Sequence, residues 1–303
     1  MTTFVGRYGP GPAPEGTGPD GAPVVARKRP RSVLAYRARH SPTLIIGATI
    51  TLGLVLVAVL APLISPYAPD HQDLYNILSG FSSKHLLGTD ELGRDELSRL
   101  IWAGRTDLRV GILAVIFPFC FGTAMGTLAG YRGGWLDTVV MRAVDVLIAF
   151  PFYVLVIGLI FVVGAGTTGI YVAFAAVDWV VYARAVRATT LVVRESDYVA
   201  AARTGGLPDW RILWRHVLPN TITQAVVYLT NDVVLVIVAV VTLGYLGLGV
   251  PPPTPDWGAM ISEGQEFLTT YWALATLPGI AVLITGLGFS LLGDGLADVL
   301  RPQ

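Results

Sequence analysis

The stretch Arg194–Asn220, RESDYVAAARTGGLPDWRILWRHVLPN, decides how the chain is read. It is a polar island between two long apolar runs, which makes it a short helix pair joining two membrane spans. Ser196 is placed to cap a first helix, Asp197 lies in its first turn, and Val199–Arg203 favours helix. Gly205-Gly206 supplies the left-handed stop that few other residues adopt. Pro208 suits the first position of a second helix. There Trp210, Leu213, Trp214 and Val217 recur at i, i+3, i+4 and i+7 as an apolar stripe, with Arg211 and Arg215 on another face. Leu218-Pro219 is expected to break this helix before the next apolar run begins.

Outside this loop the chain is apolar. Of its 303 residues 53% are hydrophobic and only 14% charged, which suits a polytopic membrane protein and excludes a soluble domain. The single cysteine, Cys120, excludes an intramolecular disulfide framework and is expected in core packing. Residues 1–33, rich in Gly, Pro and Ala, read as a disordered cytoplasmic tail. Six basic residues from Arg27 to Arg39 then precede the first span, Leu44–Ile64, long enough for a hydrocarbon core of about 30 Å. An uncleaved anchor fits it better than a cleaved leader.

Five further spans follow. The second, Val110–Ala129, is interrupted by Pro118 and carries Gly122, Gly126 and Gly130 on one stripe, a pattern for close helix packing; Gly126→Ala is expected to disturb it only modestly. The third, Leu136–Val163, should kink at Phe150-Pro151-Phe152, with Arg142 and Asp145 paired near its start. Gly164–Gly169 is a tight turn. The fourth, Ile170–Val193, holds Asp178 near its middle, where an unpaired carboxylate is costly and must face protein or water. The fifth, Thr221–Gly249, holds Asn231 and Asp232; the sixth is Trp272–Leu292. Asp178 and Asp232 are candidates for the translocation path, with interhelical hydrogen bonding as the plainer role.

Two outer segments separate these spans, residues 65–107 and 250–271. The first contains HLLGTDELGRDELSRLIWAGR, whose alternating acids and arginines read as an amphipathic helix with a solvated charged face near the outer surface. Sixteen of the twenty-one Lys and Arg fall in the tail, the 194–220 loop and the other segments on that side, while residues 250–271 hold none. This places both termini in the cytoplasm. The fold class is therefore all-α, with six transmembrane helices.

Several strings carry a resemblance. Ala201-Ala202, Gly206, His216, Leu218 and Pro219 match the spacing of the cytoplasmic loop of ABC-importer permeases, and His216–Asn220 resembles the form in the dipeptide/oligopeptide branch. His85-x-Leu-Gly-Thr-Asp, Gly93-Arg94-Asp95 and GYRGGWLDTVVMRAVDVLIAFP resemble that branch as well, as do Pro255-x-Trp257-Gly258 and the ending GDGLADVLRP. The motif's Glu is here Ala200, and Ser290 and Ala297 stand where Asn and Arg are expected. The resemblance covers about residues 34–302. It implies a type I importer permease whose 194–220 loop docks in a cleft of an ATP-hydrolysing subunit, through Asp197, Ala201, Ala202, Gly206, Arg215, His216, Leu218 and Pro219. His216 is then expected to cap or brace the second short helix.

The same resemblance implies the partners: a second homologous permease, two ATP-binding subunits and an extracytoplasmic binding protein, in the plasma membrane of a prokaryote. Asp90–Arg99 and Val250–Pro255 are expected to form part of the rim where the binding protein docks. No nucleic acid is implied. ATP and Mg belong to the partner subunits, since the chain lacks a phosphate-binding loop, and it needs no cofactor of its own. Its four histidines are scattered among loops, so no metal site is expected. Di- and oligopeptides are the implied substrates; relatives for nickel, glutathione or haem share these motifs. An ion-coupled secondary transporter is the alternative of a different class. An intramembrane enzyme would need a nucleophile–base or carboxylate pair, which the sequence does not offer.

Overall fold

The computed structural model describes residues 31–300; the tail assigned to residues 1–33 lies almost wholly outside them. The elements in order are α1 (Arg31–His40), α2 (Pro42–Ile64), α3 (Glu96–Arg132), α4 (Gly134–Ile148), α5 (Phe152–Val163), α6 (Thr167–Val177) and α7 (Trp179–Arg194). Then come α8 (Asp197–Thr204), α9 (Asp209–Ile212), a π-helical turn over Leu213–Val217, α10 (Leu218–Tyr245), α11 (Trp257–Gly264) and α12 (Ala273–Leu300). Five continuous stretches, 42–64, 96–132, 167–194, 209–245 and 273–300, are long and apolar enough to cross a membrane. The pair α4 and α5, bent by 91° at residues 149–151, makes a sixth as one broken span. The Phe150-Pro151-Phe152 kink is thus a full bend, because Pro151 forces its predecessor out of helical geometry.

Between membrane helices the hydrophobic effect is weak, and close van der Waals approach does the holding. The tightest seam joins α3 to α7. A methyl group at Gly122 would overlap the main-chain oxygen of Trp179, one at Gly126 that of Ala183, and one at Gly130 would come within 2.8 Å of Thr190 Cβ. The modest effect expected of Gly126→Ala is therefore wrong: the obstacle is main chain and cannot swing aside. α2 packs on α12 in the same way, with Gly47 against the backbone of Leu291 and Leu292. α10 lies at the centre, touching α3 where Gly111 meets Ile237 and α11 where Gly258 meets Val241. The apolar core gathers Leu108, Val115, Ile170, Phe174, Ile237 and Leu243 from α3, α6 and α10.

Several expectations are corrected. α3 begins at Glu96 and continues through Pro118, so the second helix starts fourteen residues before Val110 and is not interrupted. Cys120 is exposed on α3 and takes no part in the core. Asp145 pairs not with Arg142 but with Arg184 of α7, at 2.9 Å. Residues 85–95 form an irregular segment and not a helix, and apart from the exposed Glu91 the charges there are buried. Asp90, Arg94, Asp95, Glu96 and Arg99 are all under 8% exposed, so this is an interior ion-pair network and not a solvated face.

Candidate functional site

The 194–220 loop sits at the end of the bundle where α3 finishes. Its first helix, α8, ends as the sequence predicts: Gly206 has φ +76°. The Gly206 N–H donates to Arg203 O at 2.9 Å and the Leu207 N–H to Ala202 O at 3.2 Å. That is the paired closure of a helix C-terminus, and Leu207 and Ala202 complete it by packing in the same small cluster. Gly205 keeps an ordinary φ of −72°. Ser196 occupies the N-cap position, but its hydroxyl donates back to Val193 O at 2.6 Å and does not cap α8. Pro208 is the N-cap of α9, one place earlier than expected.

The second helix does not break at Leu218-Pro219. The chain widens into a π turn, with the Leu218 N–H reaching Leu213 O, and runs on into α10. A π turn shifts the hydrogen-bond register by one residue, so Pro219, which lacks an N–H and would collide with a carbonyl four residues back, enters at the start of the next helix. The widened turn also rotates the apolar stripe. Ile212 and Val217 are fully buried with Val199 and Tyr131, and Leu213 packs beside them. Trp210 and Trp214, expected on that buried stripe, are instead 61% and 65% exposed.

This small core is the loop's seat, and it is separate from the main one. Tyr131, at the end of α3, donates from its hydroxyl to Asp209 Oδ1 at 2.8 Å. The Arg203 guanidinium lies 5.4 Å above the Tyr131 ring, and Arg194 Nη1 donates to Gly130 O at 2.9 Å. The Asn220 amide ties the two ends together, donating to Tyr198 Oη at 3.1 Å and His216 O at 2.6 Å. The His216 ring caps nothing by hydrogen bonding: its Nδ1 is buried without a partner among the described residues. Asp197, Ala201, Arg215 and Pro219 are exposed, while Ala202, His216 and Leu218 are half-buried. The sequence did not single out Tyr131 or Asp209; their pairing spans 78 positions, and no local pattern signals it.

Asp178 and Asp232 are brought together inside the bundle, both at most 5% exposed. Asp178 lies at the joint between α6 and α7 and faces Asp232 of α10. Tyr182 donates to Asp232 Oδ2 at 2.6 Å, and the Tyr228 ring stands edge-on to Tyr182. This is hydrogen bonding between helices across buried surface.

At the opposite end an ion-pair lattice fastens residues 85–99 to α11. Asp90 Oδ2 accepts from Arg94 Nε at 2.6 Å and from Arg99 Nη1, while Glu263 Oε2 accepts from both arginines, at 3.0 and 2.8 Å. Asp95 caps α3 by accepting from the Ser98 N–H at 2.9 Å, and its other oxygen meets His85 Nδ1 at 2.9 Å. Asp107 accepts from the Trp257 N–H at 2.8 Å. Asp256 caps α11, and burial pushes its carboxyl above the usual range against the two N–H groups that favour its charged form. Among the described residues no group of His, Cys, Asp and Glu has the makings of a metal site.

The amino-acid sequence has counterparts among known proteins. The sequence profile of the binding-protein-dependent transport system inner membrane component matches residues 122–303. That of the N-terminal TM domain of oligopeptide transport permease C matches residues 33–81. The chain belongs to the binding-protein-dependent transport permease family. Among its relatives, the glutathione transport system permease protein GsiD of Pectobacterium atrosepticum is 40% identical over 251 residues, 82% of this chain and 83% of that protein. GsiD of Escherichia coli O157:H7 is 39% identical over 268 residues, 88% of each. The dipeptide transport system permease protein DppC of Alkalihalophilus pseudofirmus is 34% identical over 259 residues, 86% and 85%. The permease is thus a multi-pass inner-membrane component of an ABC importer, in a family of membrane channel components and not of enzymes.

Proposed function

We propose that this permease forms half of the path of an ATP-driven importer of short peptides, and that the loop at residues 197–219 couples it to ATP-hydrolysing subunits. The observation that carries the reading is the exposed face of that loop. Trp210, Arg211, Trp214 and Arg215 project together from a two-helix unit whose other face is fixed on its own core by Tyr131. Uncovered tryptophans beside arginines are the residue types that anchor protein interfaces, and the Tyr131–Asp209 bond and the Gly206 closure make the unit stiff enough to transmit movement. Closure of two ATP-binding subunits around such loops would drive them inward and swing the helices between inward-facing and outward-facing arrangements. ATP and Mg would be held by those subunits.

The remaining partners are a second, homologous permease and an extracytoplasmic binding protein. The distribution of basic residues supports a cytoplasmic position for the loop and both termini. Glutathione and dipeptides are both short peptides, so relatives named for either support the same substrate class. The test is uptake of labelled glutathione and of a labelled dipeptide into proteoliposomes holding the complete importer, with the binding protein outside and ATP inside. ATP-dependent uptake of one or both is expected. Uptake of neither, or uptake that persists when the ATPase is inactivated, would refute the reading.

A further inference from the structure

The exposed residues of α10 differ from those of the other long helices. Asn220, Gln224, Asn231, Leu235, Val238 and Tyr245 are all exposed, and their spacings of four, seven, four, three and seven place them on one face. On α2 the exposed residues include Leu52, Leu56, Val59 and Leu63, and on α12 the central ones are Ile280, Leu283, Ile284 and Leu287. Those are faces that hydrocarbon covers without cost. The α10 face is not such a surface, because an amide facing lipid with no partner loses its hydrogen bonds to water and gains none. Neither Gln224 nor Asn231 has a side-chain hydrogen bond among the described residues.

The face also joins two cavities. At the loop end, a space of about 550 Å³ is lined by Thr189, Asn220, Thr223, Gln224, Val227 and Ala297, among others. At the opposite end, one of about 310 Å³ is lined by Tyr245, the glycines that follow it, Pro251–Pro253, Arg94, Arg99 and Glu263. Asn220 and Tyr245 lie 25 positions apart, about 37 Å of helix, which is enough to cross the bilayer core. The face is therefore a strip with neutral hydrogen-bonding groups, running between cavities at the two ends of the bundle.

We propose that the Asn220–Tyr245 face of α10 is this subunit's wall of the transport path, and that Gln224 and Asn231 recognise the main-chain amides of a passing peptide. A side-chain amide both donates and accepts, as a peptide group does, and it bears no charge that would select among side chains. The inference rests on the permease reading above and adds to it the wall and the chemistry of contact.

The experiment uses the complete importer in a Cys120→Ser background, with Gln224→Cys, Asn231→Cys and, on the lipid face of α2, Leu56→Cys. Reaction with a charged, water-soluble thiol reagent is followed with and without saturating peptide and ATP. A thiol must ionise in water to react, so modification at 224 and 231 is expected at least about tenfold faster than at 56. Peptide in turnover should slow it. Asn231→Leu should lower peptide uptake severalfold with subunit assembly intact, and Asn231→Gln should restore much of it. Rates at 224 and 231 equal to that at 56 would overturn the proposal, as would cross-linking of those thiols to the second permease without aqueous labelling. If the Cys120→Ser parent transports peptide and the α10 thiols stay inert, only this inference fails. If the parent transports none, the permease reading fails and takes the inference with it.

Discussion

The Tyr131 hydroxyl at the end of α3 donates to Asp209 at the start of α9 at 2.8 Å, joining the longest membrane helix to the loop that is proposed to meet the ATPase. Around that bond lie Val199, Ile212 and Val217, which makes the loop a small folded unit with its own core. Movement of the loop therefore reaches α3 directly and is not absorbed by slack chain.

Tyr131→Phe keeps the ring in that core and removes the bond. A hydrogen bond to a carboxylate contributes about 1.5–3 kcal/mol, the lower end applying here because Asp209 is exposed, so the loop should loosen while the bundle stays folded. Amide exchange in Asp197–Val217 should quicken severalfold, and peptide moved per ATP hydrolysed should fall. Unchanged exchange would show that the seat is held by packing alone.

Gly126→Ala tests the seam between α3 and α7. Its methyl group meets the main-chain oxygen of Ala183, so one helix has to move, at about 1–3 kcal/mol. Thermal unfolding in detergent should shift down by several degrees. The same change at Gly158, whose added methyl meets nothing within 4 Å, should leave the midpoint where it is.

Arg99→Met keeps the bulk of a buried side chain and leaves Asp90 and Glu263 with Arg94 as their one cationic partner among the described residues. Breaking a buried pair typically costs about 3–5 kcal/mol, and because Glu263 is partly exposed the lower end is expected. The yield of folded protein should drop. Adding Glu263→Gln should recover part of it, since the two residues share one network. Additive losses would mean that the lattice does not act as a unit.

Topology is checked with Thr204→Cys in the loop and Thr254→Cys at the opposite end, each in a Cys120→Ser background. An impermeant reagent applied to intact cells should label the second and spare the first until the membrane is opened. Labelling of both from outside would overturn the six-span arrangement.

The membrane helices, the bend at Pro151 and the left-handed Gly206 were legible in the sequence because each depends on local chemistry: apolar length, a missing N–H, a missing Cβ. What was misread depends on partners far along the chain. The charges from Asp90 to Arg99 resemble a solvated face in one dimension, and the partner of the buried Arg94 and Arg99, Glu263, lies more than 160 residues away. Glu96, once suited to a docking rim, is 1% exposed and cannot meet a partner directly. Trp210 and Trp214 fit an ideal helical stripe, but the buried face is the one that carries Ile212 and Val217, five residues apart across a π turn. The pairing of Tyr131 with Asp209 leaves no mark on either local sequence.

The central claim is that the Asp197–Pro219 loop couples this permease to ATP hydrolysis, and Gly206 tests it most directly. Its φ is +76° and an added Cβ would meet nothing within 4 Å, so a substitution there acts through backbone strain, about 1–2 kcal/mol for a β-branched residue. Uptake of peptide is to be measured beside copurification of the ATPase subunits for Gly206→Val and for Gly206→Asn, asparagine being the residue that best tolerates this conformation. The valine variant is expected to insert normally yet lose transport and hold the ATPase weakly, while the asparagine variant keeps most of both. Full transport by Gly206→Val would contradict the claim.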